Sequence, residues 1–238
     1  MKKSKKIVLL IITAVLFLLT VFGLYSFYPV LTMKPAETGR ISGTPVFSLK
    51  NGVNSSFLFK ADNGYILFDA GSNARKFEAS LNELGINTDD IKWIFLSHSD
   101  YDHVSALTLF PKAVIYMNKD ELPLINGTIK RNVLGANTLP SGIDISRITL
   151  LHDKQVLYPG GIKTECTAAP GHTPGSMIYL INGRYLFSGD AFKMNSGNFS
   201  VHPFSMDSDL SKRTILSISE LAHNADIILT SHFGIRIK

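Results

Sequence analysis

The densest group of chemically capable side chains in this sequence lies within six consecutive residues. His98 and His103 enclose Asp100 and Asp102, so two imidazoles and two carboxylates cluster in a chain that has only seven histidines. Histidine and aspartate are the side chains that hold a hydrolytic metal ion. A polar turn with two chance histidines is the alternative interpretation, and the choice depends on whether later residues complete a site.

Three downstream segments each place one further histidine or aspartate at a predicted turn or strand end. His172 lies in a turn restricted by two prolines and two glycines, Asp190 follows the predicted strand 184–188, and His232 follows the last predicted strand, 225–230. Strand ends that offer such groups at one edge of a sheet are the pattern of a dinuclear metal site. Together with the first cluster, they indicate a site assembled from distant parts of the chain.

Short apolar runs separated by glycine and asparagine turns indicate the strands that would position these groups. The predicted strands before the long loop 126–147 are 46–49, 56–59, 65–69, 92–97 and 114–117. Those after it are 155–158, 161–169, 176–181 and 184–188, in an antiparallel meander. Helices are predicted at 75–84 and 207–223, with shorter ones starting at Val104 and near 119–124. Because long irregular segments are usually functional, 126–147 and 191–206 are expected to set specificity.

The N-terminal residues differ from the rest of the chain in charge and hydropathy. Four lysines among the first six residues supply most of the formal net charge of +5, and no charged residue lies between Ile7 and Val30. A helix over 7–28 would be about 33 Å long, which is enough to cross the hydrocarbon core of a bilayer. We therefore predict a basic cytoplasmic tip at 1–6, a transmembrane signal anchor at 7–28, a linker at 29–43 and one globular domain at 44–238.

The charge distribution also predicts a location and excludes some partners. The positive-inside rule would make the chain a single-pass protein of the cell membrane with its domain on the extracytoplasmic side. A cleaved signal peptide is the competing interpretation, but its apolar region is usually only about 7–15 residues. Without the basic tip, 20 Lys and Arg face 19 Asp and Glu, so the composition indicates no nucleic-acid partner. The single cysteine, Cys166, excludes an intrachain disulfide.

The motifs taken together resemble the metallo-β-lactamase-fold superfamily over about residues 44–234. Its signature is H-x-H-x-D-H, then a histidine in Gly-His-Thr-Pro-Gly, an aspartate in Ser-Gly-Asp and a late histidine. This sequence matches it at 98–103, 170–176, 188–190 and His232. The resemblance implies an α/β fold, a four-layer αβ/βα sandwich with two mixed sheets face to face and helices outside. Here the N-terminal transmembrane helix would precede that sandwich.

The resemblance also implies a ligand set for two divalent metal ions, with zinc as the first candidate. The first ion would be held by His98, Asp100 and His172, the second by Asp102, His103 and His232, and Asp190 would bridge them. Asp102 would in addition act as the catalytic residue that orients the attacking water. Asp69 matches a strand-end aspartate of the family and is expected to support the ligands. His202 is interpreted as a surface residue, with a position lining the pocket as the alternative.

Asp100 departs from the family signature, which has a histidine at this position. A third carboxylate lowers the formal charge of the site and makes the ligand set harder, which favours iron or manganese relative to zinc. The alternative is that Asp100 does not ligate and that the first metal position is weak or empty.

The resemblance implies a metal-dependent hydrolase that acts on a small-molecule ester, lactone, amide or phosphodiester, and the predicted N-terminal segment would anchor it in the membrane. One alternative is a di-iron oxidoreductase with a separate electron donor, because flavo-di-iron members of the superfamily carry a carboxylate where Asp100 lies. Another is a non-catalytic binding protein with a degraded metal site.

Overall fold

The computed structural model of this chain describes residues 2–131, 139–195 and 197–238. The chain divides into two compact units, residues up to Met33 and residues Lys34–Lys238. The first unit holds helix α1, Lys2–Leu31, which extends past the predicted start of the linker. Among the described residues, no helix has both the length and the apolar character needed to cross a membrane. The transmembrane helix predicted at 7–28 is therefore not confirmed.

The described part of the second unit is built on two sheets and a separate two-stranded hairpin. The first sheet has the strand order β1-β2-β3-β4-β5-β6-β7, and its strands are β1 (Gly39–Arg40), β2 (Val46–Asn51), β3 (Asn54–Ala61), β4 (Gly64–Phe68), β5 (Ile91–Phe95), β6 (Val114–Asn118) and β7 (Ile148–Leu151). The other strands are β8 (Val156–Leu157), β9 (Thr164–Ala168), β10 (Met177–Ile181), β11 (Tyr185–Gly189), the hairpin β12 (Lys193–Asn195) and β13 (Asn198–Ser200), β14 (Ile227–Thr230) and β15 (Ile235–Ile237). The second sheet has the order β15-β14-β11-β10-β9-β8.

The helices of this unit are α2 (Ala74–Glu83), α3 (Tyr101–Val104), α4 (Leu122–Ile125) and α5 (Ser208–Asn224). Helices α2 and α5 lie within one residue of their predicted positions. The helix predicted to start at Val104 is wrong, because Val104 ends the single turn α3. The backbone N–H groups of Ser105 and Ala106 donate to the carbonyls of Gly71 and Ala70, at the end of β4. These long-range hydrogen bonds take the N–H groups that would otherwise donate to Tyr101 and Asp102 and continue α3 as a helix.

Alternation along the strands divides the buried apolar side chains into layers. On β3, Leu58 packs in one cluster with Phe77 of α2, whereas Phe57 faces the other sheet and contacts Phe187 of β11 with ring centroids 5.8 Å apart. Successive strand side chains point to opposite faces, so one strand can serve both clusters. Helix α2 thus covers the outer face of the first sheet.

The second sheet repeats this arrangement with α5. On β10, Tyr179 lies in the cluster between the sheets, while its neighbour Ile178 packs with Ile218 of α5. The order helix, sheet, sheet, helix is the predicted four-layer αβ/βα sandwich, which is confirmed.

Two parallel strand pairs bring their carboxyl ends to the same edge of the sandwich. Strands β4 and β5 are parallel in the first sheet, as are β11 and β14 in the second. Hydrogen bonds between the sheets fix this edge, since Met177 N–H donates to Ser97 O at 2.9 Å and Ser55 N–H donates to Ser231 O at 2.7 Å. Side chains that follow these four strands are therefore held close together.

Candidate metal centre

The structure brings all seven sequence-predicted ligands to this edge. His98, Asp100, Asp102 and His103 lie in the turn and single helical turn after β5, His172 lies between β9 and β10, Asp190 follows β11, and His232 follows β14. Their ligand atoms form overlapping triads in which all atoms lie within 4.8 Å of one another: His98–Asp100–His172, Asp102–His103–His232, His98–His103–Asp190 and His172–Asp190–His202. The first two triads are the ligand sets that the resemblance implied for two metal positions, called here the first and the second position.

The first position is centred on the carboxylate of Asp100. Its Oδ2 lies 3.3 Å from Nε2 of His98 and 3.3 Å from Nε2 of His172. Ligand atoms bound at about 2.0–2.1 Å to one tetrahedral ion lie about 3.3 Å from each other. These three side chains therefore have the mutual spacing of a metal triad.

The second position is centred on Asp102. Its Oδ2 lies 3.3 Å from Nε2 of His232 and 3.6 Å from Nε2 of His103. Asp190 lies between the two positions, because its Oδ2 is 3.3 Å from Nε2 of His232 and 3.5 Å from Nε2 of His172. A carboxylate that faces both triads has the placement of a bridging ligand.

His202 belongs to the cluster, so its interpretation as a surface residue is wrong. Its side chain is buried, with Nε2 at 3.5 Å from Oδ2 of Asp190 and a ring centroid 4.6 Å from that of His172. The loop that carries it is held against the His172 turn by Met206 N–H, which donates to His172 O at 3.1 Å. No strand end or local motif marked this residue in the sequence, because a contact between two loops places it.

Unsatisfied polar atoms test whether the cluster suits a cation. Among the described residues, Nε2 of His98, His103 and His202 and Oδ1 of Asp190 are buried without a hydrogen-bond partner. Buried polar atoms in native proteins are almost always satisfied, and these four are among twelve unsatisfied side-chain atoms of the described residues. All four lie on metal-binding side chains that converge in one cluster. Imidazole nitrogens and carboxylate oxygens are donors that zinc accepts, so the residues present fit a bound metal ion.

In the metal-free cluster, burial and the neighbouring carboxylates shift the pKa values of His232 and His172 in opposite directions. Burial alone would lower the pKa of His232, but Asp190 and Asp102 outweigh it and raise the value to about 10. Burial lowers the pKa of His172 to about 4, because Asp100 and Asp190 offset it only in part. His172 is therefore neutral at pH 7, whereas His232 carries a proton that metal binding must displace.

Asp69 lies behind the ligands and fixes two of them. Its Oδ2 is 2.7 Å from Nδ1 of His103 and accepts the Ser97 hydroxyl at 2.8 Å, while Oδ1 accepts the Ser97 N–H at 2.7 Å. Because the Ser97 hydroxyl donates to Asp69, it accepts from Nδ1 of His98 at 2.9 Å. When each of these rings is neutral, its Nδ1 carries the proton and its Nε2 lone pair faces the cluster, which is the state a metal ligand needs.

Glu121 is a second supporting residue, which sequence reasoning did not single out. Its carboxylate is fully buried and accepts N–H groups from Ser99 at 2.8 Å and from Gly175 at 2.9 Å, as well as the Ser99 hydroxyl. A Cβ on Gly175 would meet the backbone nitrogen of Glu121, so only glycine allows this close approach. Glu121 thereby ties the turn of the first cluster to the turn that carries His172.

We expect Glu121→Gln to destabilise the fold and weaken metal binding. An amide has only one acceptor oxygen and would turn an NH₂ group toward buried N–H donors, at a cost of about 2–4 kcal/mol. Urea unfolding and zinc competition with a chelator measure the two effects. The control is Glu83→Gln, on the exposed face of α2. Equal stability and zinc affinity in both variants would show that Glu121 does not hold the two turns together.

Comparison with known proteins shows the class to which this fold and site belong. The profile of the metallo-beta-lactamase superfamily matches residues 49–231, and the chain belongs to this superfamily. Metallo-beta-lactamase domain-containing protein 1 of Xenopus laevis is 26% identical over 217 residues, which are 83% of this chain and 84% of that protein. The solved structure of MEM-A1, a subclass B3 metallo-beta-lactamase from a soil metagenome library, shares the fold with a TM-score of 0.65 at 20% identity, over 84% of this chain and 80% of that one.

Two further relatives match over part of their length. The probable polyketide biosynthesis zinc-dependent hydrolase PksB of Bacillus subtilis is 30% identical over 128 residues, which are 52% of this chain and 48% of that protein. The chain thus spans about half of that relative. The anaerobic nitric oxide reductase flavorubredoxin of Escherichia coli O1:K1 is 28% identical over 164 residues, which are 66% of this chain and 32% of that protein.

Proposed function

We propose that this chain is a zinc-dependent hydrolase of a small molecule that carries an ester, lactone, amide or phosphodiester bond. The observation that carries the proposal is the convergence of buried histidine and aspartate atoms without other partners at one edge of the sandwich. A divalent ion bound there would activate water and stabilise negative charge that develops on the substrate. Membership in the superfamily and the similarity to a protein named a zinc-dependent hydrolase support the same reaction class.

Asp102 is the residue of the cluster best placed to orient the attacking water. Its side chain is 31% exposed, whereas those of His103 and His232, which it faces, are 0% and 2% exposed. Burial would raise the pKa of Asp102, but His103 and His232 hold it below its usual range. Asp102 is therefore a carboxylate at neutral pH and can accept a hydrogen bond from water that enters the cleft.

A panel of hydrolysable substrates tests the proposal. Protein stripped of metal should hydrolyse at least one of the four bond classes only after zinc is added, and a chelator should reverse the effect. His232→Ala should lose both bound zinc and turnover, whereas His152→Ala, an exposed histidine outside the cluster, should lose neither. Turnover that persists after complete removal of metal would contradict the proposal.

An iron-dependent oxidoreductase is the second candidate. The carboxylate of Asp100 adds a hard oxygen donor. In addition, 66% of this chain is similar to 32% of a flavorubredoxin. Metal analysis and optical spectra of protein purified without added metal separate the candidates. Iron with a spectrum that changes on reduction supports the oxidoreductase, whereas zinc alone supports the hydrolase.

We also propose that residues 7–28 anchor the chain in the cell membrane with its domain on the extracytoplasmic side. This proposal rests on sequence alone, on the charge-free segment that follows the basic tip. Alkaline extraction of membranes from cells that express the full chain tests the anchor, and digestion of intact spheroplasts by added protease tests the orientation. Full release by alkali would contradict the anchor.

A further inference from the structure

Arg131 reaches into the metal centre from the loop that follows α4. Its side chain is only 2% exposed. Of the guanidinium nitrogens, Nη1 donates to His172 O at 2.8 Å and Nη2 donates to Phe204 O at 3.0 Å. Two backbone carbonyls from separate loops therefore fix the plane of the guanidinium inside the protein.

The same Nη2 atom lies against two of the three ligands of the first position. It is 2.7 Å from Oδ2 of Asp100 and 3.0 Å from Nε2 of His172. A guanidinium has donors and no acceptor, so in this contact Nε2 is the unprotonated nitrogen of the His172 ring and accepts with its single lone pair, whereas the alternative tautomer would donate to Asp100 at 3.3 Å. That lone pair is the one His172 would use to bind a metal ion, so Arg131 and an ion at the first position compete for it.

The negative charge of the cluster matches one divalent metal ion together with one guanidinium. The carboxylates of Asp100, Asp102 and Asp190 face the cluster, and an arginine side chain supplies one positive charge. One divalent ion and one guanidinium balance these three negative charges.

We propose that the guanidinium of Arg131 takes the place of the first metal ion, so that this chain binds one divalent ion, held by Asp102, His103, Asp190 and His232. The inference rests on the proposed function only in requiring a metal ion at the second position. It gives Asp100 a role as the partner of an arginine rather than as a metal ligand.

Zinc stoichiometry tests the proposal on the full chain. Equilibrium dialysis followed by elemental analysis is carried out on the wild type, on Arg131→Met and on Arg131→Gln. Both variants remove the positive charge: methionine replaces the arginine with an apolar side chain, and glutamine replaces it with an amide. Two different replacements are used so that the zinc count can still be made if one of the variants does not fold. Arg147→Met is the control, because Arg147 donates to the carbonyls of Phe110 and Pro111 away from the cluster. Cobalt titration followed by absorption gives an independent count.

The expected result is one zinc ion in the wild type and in Arg147→Met, and two in the folded Arg131 variants. Cobalt absorption should saturate after one equivalent in the wild type and after two in those variants. Two ions in the wild type would overturn the role of Arg131 and leave the proposed hydrolase intact. One ion in both the wild type and the Arg131 variants would also overturn it, because Arg131 would then not be what excludes the second ion. No bound ion in any protein would overturn both proposals.

Discussion

Asp190→Asn is expected to remove zinc binding and to lower hydrolysis more than any other single change in this chain. Oδ2 of Asp190 lies 3.3–3.6 Å from Nε2 of four histidines: His103, His172, His202 and His232. An asparagine has the same shape but no charge, and its NH₂ group would donate to the lone pairs that should face the ion. Changes behind a metal ligand cost about 10–100-fold in affinity or activity, and we expect the loss of this central carboxylate to exceed that range.

Zinc affinity from chelator competition and turnover on the responsive substrate measure this effect. The matched control is Asp226→Asn, since Asp226 pairs with Arg184 at 2.6 Å on the surface. Exposed ion pairs contribute about 0–1 kcal/mol, so the control should keep zinc and activity. Asp190→Asn protein that binds zinc and turns over like the control would show that Asp190 is not a ligand.

Asp69→Asn is expected to weaken zinc binding by about 10–100-fold without contact between residue 69 and the ion. The carboxylate accepts the Ser97 N–H and the Ser97 hydroxyl and orients His103. The amide of asparagine would turn a donor toward one of these groups, so the hydrogen-bond chain that orients His98 and His103 would break. The left-handed backbone of Asp69, with φ of 60°, suits asparagine equally well, so the variant tests the charge rather than the turn.

Excess zinc separates a positioning role from a structural one. If Asp69 only orients the ligands, high zinc should restore most of the turnover of Asp69→Asn and leave its apparent zinc affinity low. The control is Asp153→Asn, an exposed aspartate that accepts the Ala168 N–H at 2.8 Å. Wild-type zinc affinity in Asp69→Asn would contradict the positioning role, and turnover that zinc cannot restore would indicate damage to the fold.

Local patterns were sufficient to predict the frame of the molecule. Short apolar runs bounded by turn residues indicated most strands, because a strand that is covered on both faces is apolar at successive positions. Apolar residues that recur about every 3.6 residues indicated α2 and α5, because such residues share the face of a helix that packs on the sheet. Where the pattern failed, at Val104, carbonyls more than thirty residues earlier in the chain took the backbone donors of the following residues. Such a bond has no local signal.

The sequence by itself determined the seven His and Asp residues of the site, because most of them directly follow a predicted strand or lie in a turn that proline and glycine restrict. Its resemblance to the superfamily implied the αβ/βα sandwich. Only the tertiary structure placed His202, Glu121 and Arg131 at the site. Arg131 meets His172 across 41 residues and Phe204 across 73, and Glu121 meets Gly175 across 54. These contacts join loops and short turns whose paths depend on the packed sheets beneath them. The opening cluster therefore indicated a metal site, while the fold decided that an arginine lies against Asp100.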